Sequence, residues 1–221
     1  MFKTSFFLEG PVGSDPFRYG GEAAAQAIAG QIQGLAGYTQ TRTLSEQVDP
    51  TTDAPFTGVA ECWFVAESAA REAEAESAIL AALLTPETRI GPSLSGMIRT
   101  VMRLPSYYDG DCIKGVFPFR CQDRLSVEGF QRYWWNEHGP IAARTEAALC
   151  YTQCHPSEAR YADGRPPFDG ITELYWPDAA SARAAMSSRQ MIEEQATDAQ
   201  NFAEPGSVIL FLAEEEIVIA A

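Results

Sequence analysis

The chain has 221 residues, 46% hydrophobic and 11% aromatic, which supports a packed core and excludes general disorder. A net charge of -14 repels phosphate backbones and anionic bilayer surfaces, which excludes electrostatic partnership with nucleic acid or membrane. No stretch approaches the roughly 18 apolar residues of a membrane span, and five cysteines without a CxxC pair argue against a disulfide framework and for a reducing cytoplasm.

The apolar run FKTSFFLEG (2–10) predicts an opening strand rather than a leader peptide. A helix follows over GGEAAAQAIAGQIQGL (20–35), then a strand around Tyr38-Thr39-Gln40, a strand over GVAECWFV (58–65), a helix over SAAREAEAESAILAALL (68–84) and a closing strand GMIRTVMRL (96–104). After the Pro/Asp/Gly-rich stretch 104–111 the same order returns. IKGVFPFR (113–120) is a strand. SVEGFQRYWWNEHG (126–139) is a helix with Ser126 as N-cap and Gly139-Pro140 as stop. Tyr151-Thr152-Gln153 and GITELYW (170–176) are strands, and a helix over 180–202 leads into the closing strand SVILFLAEE (207–215).

The second half repeats the first. Tyr38-Thr39-Gln40 aligns with Tyr151-Thr152-Gln153 at an offset of 113, and PFTGVAECWFVAESAAR (55–71) aligns with PFDGITELYWPDAASAR (167–183) at an offset of 112. More weakly, 2–10 can be laid on 113–121. Each unit reads βαββαβ, the ferredoxin-like pattern. The expected fold class is therefore α+β: tandem ferredoxin-like repeats, 1–108 and 109–221, packed sheet against sheet as an α+β barrel. The expected ligand pocket lies between the two sheets.

Both histidines, His138 and His155, fall in the second repeat, while the first has Arg42 in place of His155 and no aromatic helix stripe. Phe130, Trp134 and His138 lie at i, i+4 and i+8 on one helix face, flanked by Tyr133. At a helix C-terminus the dipole favours an imidazolium, so His138 is the expected general acid/base. Strand alternation places Tyr151, Gln153 and His155 on one face, expected to look into the inter-sheet space; Tyr38 and Gln40 are their first-repeat counterparts. Lys114 and Arg124 are candidate anchors for a carboxylate or phenolate. Cys150, Cys154 and His155 do not make a metal site, because the cysteines and the histidine point to opposite strand faces.

The run from Lys114 through Arg124, Leu125-Ser126, Phe130, Tyr133-Trp134 and His138-Gly139-Pro140 to Tyr151-x-Gln153-x-His155 resembles the EthD domain. The resemblance covers 112–156 well and the remainder of the second repeat loosely; the first repeat lacks the Trp and the His. It implies an intrachain version of the family's dimeric α+β barrel, with one intact site and one degenerate one. It also implies cofactor-independent chemistry on a small aromatic or polyketide-like substrate. A lyase, most concretely a dehydratase, is the leading expectation, with His138, Tyr151 and His155 catalytic and Phe130, Tyr133, Trp134, Gln153, Lys114, Arg124, Tyr38 and Gln40 binding substrate. The alternatives are a cofactor-independent monooxygenase, a small-molecule-binding accessory protein of a degradation pathway, and haem binding through His138 or His155. Family members usually pair, so a homodimer is the implied assembly.

Overall fold

A computed structural model describes residues 1–11, 13–48, 54–108, 112–162 and 164–221. The first repeat comprises β1 (Phe2–Glu9), α1 (Gly21–Ile28), β2 (Leu35–Thr43), β3 (Gly58–Phe64), α2 (Glu67–Ala75), α3 (Ala78–Ala81) and β4 (Arg89–Arg103). The second comprises β5 (Ile113–Phe119), α4 (Val127–Tyr133), α5 (Gly139–Ala142), β6 (Cys150–His155), α6 (Glu158–Ala162), β7 (Gly170–Trp176), α7 (Ala179–Met186), α8 (Ala196–Ala199) and β8 (Phe211–Ile219). The junction expected at 108/109 adjoins residues 109–111, which lie outside the described residues.

The repeats fold alike. Strand order is β4-β1-β3-β2 in the first and β8-β5-β7-β6 in the second, every pairing antiparallel. β2 pairs with β8 and β4 with β6, which closes one eight-stranded barrel and leaves no sheet edge open. The duplicated glycines Gly58 and Gly170 permit close packing. A Cβ on Gly58 would lie 2.4 Å from the Thr41 carbonyl oxygen, and one on Gly170 would lie 2.7 Å from the Trp134 ring.

All four expected helices depart from expectation: 68–84 divides into α2 and α3, and 180–202 into α7, a π turn over Gln190–Gln195 and α8. α1 stops at Ile28, well short of residue 35, because Gly30 turns into the left-handed region at φ +72°. The helix capped by Ser126, whose hydroxyl accepts from the Gly129 N–H, does not stop at Gly139-Pro140. A wide π turn over Trp134–His138 re-registers the backbone, with the Gly139 N–H reaching back to the Trp134 carbonyl, and the helix resumes as α5. That widened turn takes Pro140 without the carbonyl clash it would cause in a regular α-helix.

The space between the sheets is filled, which overturns the expected pocket. Successive side chains alternate faces, so Lys3, Glu61, Lys114 and Glu173 all point inward and form a closed ring of ion pairs. Lys3 bonds Glu61 at 2.6 Å and Glu173 at 2.5 Å; Lys114 lies 2.6 Å from Glu61 and 3.0 Å from Glu173. Each lysine thus bridges a carboxylate of its own repeat to one of the other. Burial opposes the lysine charges, but the facing glutamates outweigh it and raise both pKa values, while the lysines hold the Glu173 carboxyl well below its usual range. Lys114 is therefore a core cation with no exposure to ligand, not a substrate anchor. The other half of the barrel is packed with Phe7, Phe56, Phe168 and Phe211 and the aliphatic chains around them.

Candidate active site

Because the inward faces carry the ring and the aromatic plug, the residues Tyr151, Gln153 and His155 face outward, beneath the helices of the second repeat, opposite to expectation. Thr152 and Cys154 take the inward positions instead, with the Thr152 hydroxyl donating to Glu173. Gln153 donates to the Tyr151 hydroxyl at 2.6 Å and to the Trp134 carbonyl at 3.1 Å, which leaves its Oε1 to accept from His155 Nε2–H at 2.8 Å. The His155 ring stacks on Trp134 with centroids 4.5 Å apart, and burial together with Arg99 depresses its pKa to about 3. Burial pushes the Tyr151 hydroxyl up to about 12. Neither group exchanges protons near neutral pH. Both belong to a polar network that locks β6 to the π turn.

A mainly apolar cavity lies elsewhere in the second repeat, between the outer face of β5 and β7 and the helical segment 186–203. It measures about 320 Å³, with walls of Phe117, Phe119, Leu174, Met186, Met191 and Phe202, opening to solvent beside Val208. His138, Thr172 and Gln195 supply its polar groups, and no Lys or Arg lines it among the described residues. His138 ends the first π turn, and Gln195 ends the second, which spans Gln190–Gln195. Such insertions re-aim single side chains and are frequent at functional sites.

His138 is 7% exposed, and its Nδ1 lies 2.8 Å from Asp198 Oδ2 on α8. Asp198 is itself fixed, since its Oδ1 accepts from the Tyr133 hydroxyl at 2.8 Å and from the Asn201 amide at 3.3 Å. The carboxylate can only accept, so the Nδ1 carries the proton and the Nε2 keeps its lone pair, without a hydrogen-bond partner among the described residues. Burial lowers the His138 pKa below 6.5 despite the opposing pull of Asp198. This corrects the expectation of a dipole-stabilised imidazolium: the helix continues past His138, and burial favours the neutral ring.

Of the residues singled out in the sequence, His138 alone lines the cavity, and Tyr133 serves it through Asp198. Phe130 and Trp134 are fully buried in the layer behind Phe119, so they support the wall without forming it. Arg124 lies at the surface, bonded to Gln122 and to the Asn201 carbonyl. Tyr38 is packed into the first repeat's own core, and Gln40 donates to the Tyr19 carbonyl there. Sequence reasoning missed Thr172, Gln195 and Asp198. A periodicity signal did exist: Gln195, Asp198, Ala199 and Phe202 fall at i, i+3, i+4 and i+7, one helical face.

With this geometry in view, comparison with known proteins is informative. The EthD domain family model matches residues 122–206. Over that span, which lies within the second repeat, the chain is similar to the EthD domain. No curated protein matches the chain. An anthrone oxidase-like protein superposes with a TM-score of 0.59 at 10% identity, covering 98% of this chain and 93% of its own. A chlorite dismutase mutant from Candidatus Nitrospira defluvii gives 0.51 at 13% identity, covering 96% and 91%. A structure described as a monooxygenase from Lactobacillus acidophilus NCFM gives 0.50 at 8%, covering 99% and 95%. At these identities the likeness concerns the fold: an α+β barrel built from two ferredoxin-like halves. No helix among the described residues is long and apolar enough to cross a membrane.

Among the described residues the cavity lining offers no Lys or Arg to hold the propionates of a haem.

Proposed function

We propose that the second repeat catalyses proton abstraction from a small, largely apolar substrate, with His138 as the general base, and that the reaction is elimination of water. The observation that carries this reading is the His138–Asp198 pair: a neutral imidazole, its Nδ1–H committed to a carboxylate, with a bare Nε2 on an apolar cavity. In the first step Nε2 takes the proton from carbon next to a carbonyl, and the C–H electron pair moves onto the carbonyl oxygen. In this reading the Thr172 hydroxyl, which lines the cavity, turns from Tyr151 to donate to that oxygen. Asp198 stabilises the imidazolium. The same Nε2–H then protonates the departing β-hydroxyl, the C–O bond breaks, and water leaves with a new carbon–carbon double bond. One base moves one proton both ways, so no co-substrate is required.

A second reading is suggested by the fold neighbours described as an anthrone oxidase-like protein and a monooxygenase. In it, the carbanion made by His138 meets dioxygen instead of expelling hydroxide. The test is His138→Ala against a cyclic β-hydroxyketone, followed by ultraviolet absorbance of the enone, with oxygen consumption recorded in parallel. Loss of turnover with an unchanged circular dichroism spectrum is expected; full activity in the variant would refute the base, and oxygen uptake would select the second reading. The five free, buried cysteines fit a cytoplasmic setting for this chemistry.

A further inference from the structure

The polar groups of the cavity constrain the ligand through their hydrogen-bonding roles. Gln195 is 5% exposed and lines the cavity. Its amide orientation is forced by a relay of donors. The Thr145 hydroxyl donates to the Ala142 carbonyl at 2.7 Å, so its oxygen is left to accept from Gln195 Nε2 at 2.8 Å. The Gln190 amide donates to the Ile141 carbonyl at 2.8 Å, so its Oε1 accepts from the same Gln195 Nε2 at 2.6 Å. Both N–H donors of Gln195 are thereby used on its own framework, and turning the amide over would set oxygen against oxygen. The Oε1 that remains accepts no hydrogen bond from a described residue.

We infer that Gln195 is a specificity-determining residue whose fixed carbonyl oxygen, together with His138 Nε2, selects an uncharged ligand that brings its own O–H donors, a phenol, enol or diol. The inference rests on the cavity of the proposed reaction but does not require the reaction itself. Two acceptors and the Thr172 hydroxyl line the cavity, and among the described residues no Lys or Arg lines it to receive a carboxylate or phosphate. An anion entering here would lose its hydration with no charge partner and would face two lone pairs. A ligand hydroxyl would satisfy an acceptor that has no hydrogen-bond donor among the described residues. Rejection of a molecule lacking the donor is strong where a site's buried polar group is then left unpaired.

The experiment uses the full chain and three bicyclic probes that the cavity volume admits: 2,7-dihydroxynaphthalene, its dimethyl ether and 2-naphthoate, with affinities from isothermal titration at pH 7.5. The diol is expected to bind at least ~10-fold more tightly than the ether, with the naphthoate weakest. In Gln195→Leu, which keeps the bulk but removes the acceptor, the diol's advantage over the ether is expected to fall to within about 3-fold. Equal affinity for diol and ether in the unsubstituted protein, a preference for naphthoate, absence of binding by all three, or an unchanged preference in a folded Gln195→Leu would each overturn the inference. His138→Ala separates this from the proposed reaction: it is expected to keep a diol preference through Gln195 while losing turnover. An active His138→Ala variant that still prefers the diol would sink the reaction and leave the selectivity standing.

Discussion

Asp198→Asn preserves every heavy atom of the site and yet reverses the proton on His138. In the native arrangement Oδ1 receives two donors, Tyr133 and Asn201, while Oδ2 faces Nδ1. An asparagine must keep its oxygen toward those two donors, which turns its amide N–H toward Nδ1. The ring nitrogen then becomes the acceptor, the proton moves to Nε2, and the cavity faces an N–H where it had a lone pair. General-base catalysis contributes about 10²–10⁴-fold, so the substitution is expected to cost ~3–5 kcal/mol of transition-state stabilisation. Removing Asp198 also removes the interaction that raises the His138 pKa, so the ring should titrate still further below 6.5. The chain has two histidines, so ¹⁵N labelling of histidine reads both rings directly. The native protein should show opposite tautomers: Nδ1–H for His138 and Nε2–H for His155, whose Nδ1 is buried without a partner. The variant should flip His138 and leave His155 alone. Identical tautomers in the native protein, or an unchanged His138 in a fully active variant, would refute the reasoning.

Two further outcomes test the core. Lys114→Met leaves three buried carboxylates, Glu61, Glu173 and Glu215, around Lys3 alone, and should lower stability in urea by ~3–5 kcal/mol; a neutral effect would argue that the ring is not assembled. His155 is held neutral by burial, with its pKa depressed from 6.5 to about 3, so the stability this confers is complete above 6.5 and is lost as pH falls toward 3. Between pH 6.5 and 5 the loss should reach ~2 kcal/mol, and in His155→Phe, which keeps the stack on Trp134, the slope over that window should shrink accordingly. His138 contributes a smaller slope of the same sign, which persists in the variant.

The duplication, the βαββαβ order and the barrel were legible because they follow from period and from internal repetition. Lys3 with Lys114 and Glu61 with Glu173 recur across the repeats, and that recurrence shows which positions matter. It does not say what they do: the aligned pairs build the barrel's interior, and the site uses residues present in one repeat only. Alternation along β6 correctly separates Tyr151, Gln153 and His155 from Thr152 and Cys154, but a period of two says nothing about which face is inside.

From sequence alone came the architecture and the singling out of His138, since spacing and duplication are properties of the chain. Tertiary structure decided where the cavity lies, that burial lowers the His138 pKa, that Asp198 meets its Nδ1, and that Gln195 lines the same cavity. The physical reason is that charge neutralisation acts through space. Two lysines and the glutamates that face them can occupy the barrel interior only when all four meet. Once they fill it, the ligand space is displaced to the far side of the sheet, a consequence that no local pattern in the chain encodes.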